Sequence, residues 1–157
     1  MRLRRARPDE ASTLSELALA AKRHWGYDEE FLDSCRAELT FSPDDIARRR
    51  IVVVDLGGTV AGCYSIDGEP PVGELGDMWV APSRIGTGLG RVMWHDAMTT
   101  AAAAGFEHLE IAADPNAEGF YRKLGAERVG EAPSRSIPGR RLPLLRVRVG
   151  PRNRGDD

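Results

Sequence analysis

Between Met78 and Arg91 an apolar run closes on Pro82, glycines follow at Gly86, Gly88 and Gly90, and a helical pattern begins at once. Glycine loses more backbone entropy on folding than any other residue, so three within five residues need a physical reason. The arrangement fits a turn whose backbone must approach a ligand closely, with bare N–H groups aimed at it. At the start of a helix those groups and the helix dipole both favour an anion. The stretch reads as a strand–loop–helix that binds phosphate.

Two common phosphate motifs are excluded. A dinucleotide fold requires G-x-G-x-x-G early in a βαβ unit, whereas the spacing here is G-x-G-x-G and lies past mid-chain. A P-loop requires a lysine after its glycines, and none follows Gly90. A second informative stretch begins with Leu109 to Ala113, a short apolar strand. It runs into Asp114-Pro115-Asn116-Ala117-Glu118-Gly119-Phe120-Tyr121-Arg122-Lys123-Leu124-Gly125-Ala126. Asp114 suits a helix cap, Pro115 the first helical position and Gly125 the helix stop.

The first stretch resembles the central motif of the GNAT superfamily of N-acetyltransferases, roughly V-x-P-x-x-R-G-x-G-[IVL]-G, with Val80, Pro82, Gly86, Gly88, Leu89 and Gly90 in place. The departure is Ile85, where the family usually carries Arg or Gln; Arg84 is adjacent. The second stretch resembles the family's N-x-x-A-x-x-F-Y-x-K-x-G-F element, with Ala117, Phe120, Tyr121 and Gly125 in register and Asp114 at the usual Asn position. The resemblance covers roughly residues 50 to 130. It implies acetyl-CoA as co-substrate, contacted by Met78, Trp79, Val80, Ile85, Gly86, Thr87, Gly88, Leu89, Gly90, Arg91, Asn116 and Phe120. It also implies a single α/β domain, a mixed and mostly antiparallel central sheet with helices on both faces.

The residues support that architecture independently. A length of 157 suits one domain with a real core, and 41% hydrophobic with 29% charged residues is ordinary for a globular protein. Residues 1–150 are expected to form the domain and 151–157 a frayed, disordered tail. Arg2 to Arg7 reads as a sheet-edge strand or a basic patch. A helix with Leu14, Leu17, Ala18 and Ala21 in phase follows, broken at His24-Trp25-Gly26-Tyr27, then a second helix from Asp28 to Leu39. Strands are expected at Ile51–Asp55 and Thr59–Ile66 about a Gly57-Gly58 turn, and at Val72–Val80. A helix from Leu89 is stopped by Gly105, and strands at Glu127–Gly130 and Leu144–Val149 flank a loop from Pro133 to Pro143. The order is β-α-α-β-β-β-α-β-α-β-β.

A net charge of −2 offers no bulk attraction to nucleic acid. Cys35 and Cys63 lie in no metal-ligand spacing and form no disulfide framework, and no H-x-x-x-H, C-x-x-C or D-x-D pattern indicates a metal. No stretch suits a bilayer span or a signal core. The expectation is a cytoplasmic protein acting on a small-molecule or peptide amine, without metal, nucleic acid or membrane, and open to forming a homodimer.

Acetyl transfer to an amine needs a held thioester, a neutral amine and a proton for the departing thiolate. A lysine-like amine is almost wholly protonated at pH 7, and neutralising it costs about 4 kcal/mol, so a carboxylate base is useful. Glu74, on the strand entering the glycine loop, is where several GNAT enzymes carry such a base; otherwise it is a solvated strand residue. Asp77, three residues on, points to the opposite face of a regular strand, a parity that a bulge would undo. Tyr121 is a donor at neutral pH, and in the family the matching tyrosine serves the CoA sulfur; the alternative is a packed structural tyrosine. His24, Trp25 and Tyr27 lie in the inter-helix segment that walls the acceptor pocket in GNAT folds, or else pack as core. Arg135, Arg140 and Arg141, in the Pro- and Gly-stiffened late loop, are candidates for clamping a carboxylate or phosphate on the acceptor or for a solvated turn. His95 is expected to face solvent, and His108 has no evident partner. Ser83 lies outside any G-x-S-x-G nucleophile elbow. The rival readings are a non-catalytic acyl-CoA-binding sensor and a nucleic-acid-associated protein using the arginine-rich first strand.

Overall fold

Ile51 and Val53 face one side of the sheet and Val52 and Val54 the other, and all four are buried. A strand apolar on both faces must be covered on both, and this dictates the layering. The computed structural model describes residues 1–150; the expected tail at 151–157 lies outside the described residues. Seven strands form one mixed sheet: β1 (Arg2–Arg5), β2 (Arg50–Leu56), β3 (Thr59–Asp67), β4 (Val72–Val80), β5 (His108–Ala112), β6 (Glu127–Pro133) and β7 (Arg141–Arg148). Their order is β1-β2-β3-β4-β5-β7-β6, and every pairing is antiparallel except β4–β5.

Ile51, Val53 and Cys63 pack against α1 (Ala11–His24), α2 (Glu29–Cys35) and α3 (Pro43–Arg48) through Leu14, Leu17, Ala18, Cys35 and Ile46. Val52, Val54, Tyr64, Ile66 and Leu75 pack on the other face. There they meet Met93, Trp94, Ala97 and Ala101 of α4 (Leu89–Ala103) and Tyr121 of α5 (Glu118–Lys123). The α/β architecture is the one the sequence implies. The arginine-rich first segment is the edge strand β1, where Arg4 pairs with Glu10 at 2.9 Å and Asp55 at 3.1 Å.

Three local expectations are corrected. Helix α3 was not anticipated: it spans six residues with one buried side chain, Ile46, so no apolar period marks it. Its start is nonetheless encoded, since Ser42 accepts from the Asp45 amide, Asp45 returns the bond to the Ser42 amide, and Pro43 opens the helix. The second helix ends at Cys35 instead of Leu39. Asp114 does not cap α5, which starts at Glu118 after Ala117. The Asp114 carboxylate closes a turn onto the Asn116 amide at 2.8 Å and is otherwise engaged by side chains from α1 and the segment after it.

Candidate active site

The parallel strands β4 and β5 pair over only three positions, Val72 with His108, Gly73 with Leu109 and Glu74 with Glu110. From Asp77 to Val80, β4 pairs with β3 alone, while β5 continues with β7. The two strands therefore part at their carboxyl ends. There α4 and α5 start, on the loops that leave β4 and β5. Crevices at the carboxyl ends of parallel strands are the usual ligand positions in α/β sheets.

The glycine loop bounds this crevice on one side. Gly86 and Gly88 have φ of +82° and +86°, a left-handed backbone that a side chain would strain, and a Cβ on either would project into open space. The amides of Gly86, Gly88, Leu89, Gly90 and Arg91 donate to no acceptor among the described residues. All lie at the positive end of the fifteen-residue helix α4, which suits them to a pyrophosphate. Phe120 closes the loop from α5: a Cβ on Gly90 would lie 3.2 Å from its ring, so α5 and the loop are in contact. Ile85 is exposed.

Tyr121 follows Phe120 and is buried, its ring 5.8 Å from Trp94 and 5.3 Å from Phe120. Burial raises its phenol well above the ordinary value, and the charges of Asp77 and Asp114 push the same way. The hydroxyl is thus held as a donor.

Across the crevice, β4 carries a bulge. Ser65 pairs with Asp77 and Ile66 with Leu75, leaving Gly76 unmatched. The bulge resets the alternation, so Glu74 and Asp77 face the same cavity instead of opposite sides. A Cβ on Gly76 would collide with an Asp67 carboxylate oxygen, so a side chain there would displace the Asp67 carboxylate that Arg49 holds. Asp77 is consumed by its surroundings: it accepts from Arg49 Nη2 at 2.6 Å, Ser65 Oγ at 3.1 Å and Trp79 Nε1 at 2.9 Å, with its side chain 11% exposed. Arg49 also bonds Asp67 at 2.8 Å and 3.0 Å. Glu74 is freer, 38% exposed, with one contact of 3.4 Å to the largely exposed Arg135.

The cavity of about 390 Å³ is walled by Glu74, Asp77 and Trp79 of β4, Lys22 of α1, and Arg135 and Arg140 of the loop between β6 and β7. Behind it, Lys22 Nζ reaches Asp114 at 2.6 Å, and the Tyr27 hydroxyl donates to Asp114 at 2.9 Å while accepting from Arg140 at 2.9 Å and Asn116 at 3.2 Å. Burial opposes ionisation of Asp114, but Lys22 and the Asn116 amide outweigh it and lower its pKa. Burial, then Asp114, raises the Tyr27 phenol. His24 and Trp25 are exposed, stacked edge to face at 5.9 Å, and do not line the cavity.

Sequence reasoning did not single out Lys22, Arg49 or Arg140. Lys22 carried a signal, a charge four residues beyond Ala18 on the buried stripe of α1. Arg49 carried none, since it acts through contacts distant in sequence, and Arg140 shares with Arg135 and Arg141 only the signal of a stiffened arginine loop.

The family model described as "Acetyltransferase (GNAT) family" matches residues 13–126, nearly three quarters of the chain, including β4, the glycine loop, the parting strands and α5. The chain belongs to the GNAT acetyltransferase family. No curated protein matches it in sequence. Its fold is similar to PaiA N-acetyltransferase from Thermoplasma acidophilum in complex with coenzyme A, at 16% identity and TM-score 0.77 over 94% of this chain and 98% of the other. It is also similar to a GCN5-related N-acetyltransferase from Rhodopseudomonas palustris, at 22% identity and TM-score 0.75 over 92% and 93%. A third is a GNAT family acetyltransferase from Brucella melitensis in complex with acetyl-CoA, at 22% identity and TM-score 0.64 over 96% and 88%. As a GNAT protein the chain keeps the glycine loop and the tyrosine helix, departs at Ile85, and commits Asp114 to an ion pair with Lys22. Among the described residues no helix is long and apolar enough to cross a membrane, and no cluster of potential metal ligands occurs.

Proposed function

We propose that this GNAT domain transfers an acetyl group from acetyl-CoA to the primary amine of a small-molecule acceptor held in the cavity beside β4. The observation that carries the proposal is the parting of β4 from β5, with free amides on one side, Glu74 on the other and the Tyr121 helix at the crevice. The unpartnered amides of Gly86 to Arg91 fit the pyrophosphate of acetyl-CoA. From Asp77 to Val80, Met78 and Trp79 included, β4 lacks a partner on the crevice side and fits the extended arm of the same molecule. Ile85, Asn116 and Phe120 border this path. Bound there, acetyl-CoA supplies an activated acetyl thioester.

The residues then divide the proton work. An ammonium must lose its proton to attack, a cost of about 4–5 kcal/mol for an amine of pKa near 10.4 at pH 7. Glu74, less engaged than Asp77, accepts that proton directly or through water. Asp77, ion-paired to Arg49, positions the bulge and takes no proton. Tyr121 faces the departing sulfur as a hydrogen-bond donor. Its phenol, raised above 10, is a weaker acid than a thiol of pKa about 8.5, so it stabilises the thiolate more than it fully protonates it. Attack is direct, without an acyl-enzyme: burial pushes the Cys63 thiol up, and no basic side chain hydrogen-bonds either cysteine among the described residues. Arg135 walls the acceptor cavity and Tyr27, behind it, accepts from Arg140; the exposed His24 and Trp25 take no part in that wall.

The test is an amine panel incubated with acetyl-CoA. Transfer releases free CoA thiol and N-acetylated amine in equal amounts. Binding of acetyl-CoA without turnover of any amine would favour the sensor reading instead.

A further inference from the structure

Four cationic side chains line the cavity, and three have a carboxylate. Lys22 pairs with Asp114 at 2.6 Å, Arg49 with Asp77 and Asp67 at 2.6 Å and 2.8 Å, and Arg135 with Glu74 at 3.4 Å. Arg140 has no carboxylate within 4.0 Å among the described residues. It spends one N–H on the Tyr27 hydroxyl at 2.9 Å, leaving most of its five donors without an acceptor among the described residues. Its placement is nonetheless fixed: the guanidinium lies 4.9 Å from the Phe31 ring centroid and 5.4 Å from that of Tyr27, rings that stack on each other at 4.1 Å. A half-buried guanidinium that is held in place, lines a cavity and lacks an anion is preorganised for one. On the opposite side of the balance, Glu38 lines the same cavity and, among the described residues, accepts only from the Ser136 hydroxyl, and Glu74 meets only the exposed Arg135.

We infer that Arg140 is the specificity residue of the acceptor site and that the acceptor is an amino carboxylate, its carboxylate taken by the Arg140 fork and its amine directed to Glu74. This rests on the acetyl-transfer reading. The planar fork matches a carboxylate with two parallel N–H bonds, and a cavity of about 390 Å³ suits a small zwitterion. A neutral amine would leave the guanidinium unpaired, and a polycation would be repelled by it. Tyr27 acts through Arg140 as a positioning residue, since its hydroxyl is already saturated by Asp114, Arg140 and Asn116.

The experiment uses straight-chain amino acids with one to five carbons between amine and carboxylate, each paired with its carboxamide, with acetyl-CoA and thiol release as readout. A nearby carboxylate raises the amine's pKa, so amine basicity favours the carboxamide and cannot mimic the expected preference. In the wild type at least one carboxylate should exceed its carboxamide in kcat/KM by about tenfold to a hundredfold, mostly through KM, the range for a hydrogen bond to a charged group. Arg140→Gln should bring the ratio to near one, and Arg140→Lys should leave it intermediate. The acetyl-CoA thermal shift serves as the fold check for both variants. A ratio near one throughout the wild-type series would overturn the inference. So would a ratio that survives Arg140→Gln, or turnover confined to neutral amines. Absence of acetyl-CoA binding by the wild type would instead overturn the acetyl-transfer reading beneath it.

Discussion

The contact between Lys22 and Asp114 joins α1 to the loop that leads into α5, 92 residues away, and its removal has a calculable cost. Both side chains are about one-tenth exposed, so neither charge is well solvated once its partner is gone. Lys22→Met keeps most of the stem and deletes the charge, stranding Asp114. Breaking a buried pair from one side costs about 3–5 kcal/mol, and residual bonds from Tyr27 and Asn116 place this case near the low end. A loss of about 3 kcal/mol in a chain of this size lowers the melting temperature by about 6–12 °C. Asp114→Asn, which strands Lys22, should cost a similar amount. The double variant removes both charges and should recover to within about 1 kcal/mol of the wild type, a coupling measurable by urea unfolding in a double-mutant cycle. The Asp114 pKa is depressed in the folded protein. Its contribution is therefore present above the unfolded pKa of about 3.9 and lost as pH falls through the lower folded value. The gap between wild type and Asp114→Asn should hold above about pH 5 and close in acid. Single variants within 0.5 kcal/mol of wild type, on the order of a surface substitution, or a double variant no better than either single, would refute the reasoning.

Two further outcomes concern the crevice. Tyr121→Phe should keep the packing against Trp94 and Phe120 and lower turnover by about tenfold to a hundredfold, the worth of one hydrogen bond to a charged group, with acetyl-CoA affinity little changed; single-turnover thiol release reads it. Gly88→Glu should abolish the thermal shift produced by acetyl-CoA, about 2.7 kcal/mol of stabilisation at 100 times Kd in the wild type, because it strains a φ of +86° and sets a negative charge where the pyrophosphate would meet the amides.

The parts of the fold legible in the sequence are those encoded locally. Strand β4 and the start of α4 fall where the apolar run, Pro82 and the glycines place them, because chemistry and geometry lie within a dozen residues of one another. Gly105, at φ +94°, ends that helix region as expected. Helix α3 escaped because a capping box without an apolar period is a faint mark. The late start of α5 escaped for a different reason: Asp114 has the right chemistry for a cap, but Lys22 and Tyr27 compete for its oxygens from distant sequence. The orientation of Asp77 depended on the bulge at Gly76, which pairing register sets and local propensity does not. Arg140 was read only as part of an arginine-bearing loop. What distinguishes it from Arg135 is the missing carboxylate, a property of the folded cavity.

The most direct test of the proposed chemistry is the pH–rate profile of wild type and Glu74→Gln on one acetylated amine. Gln keeps the shape and an acceptor oxygen but cannot take a proton. If Glu74 is the base, the variant should be defective near pH 7 and the defect should shrink as pH approaches the amine's own pKa, where solvent supplies the free amine. A Gln variant equal to wild type near pH 7, or one slowed equally at every pH, would contradict the assignment of proton removal to Glu74.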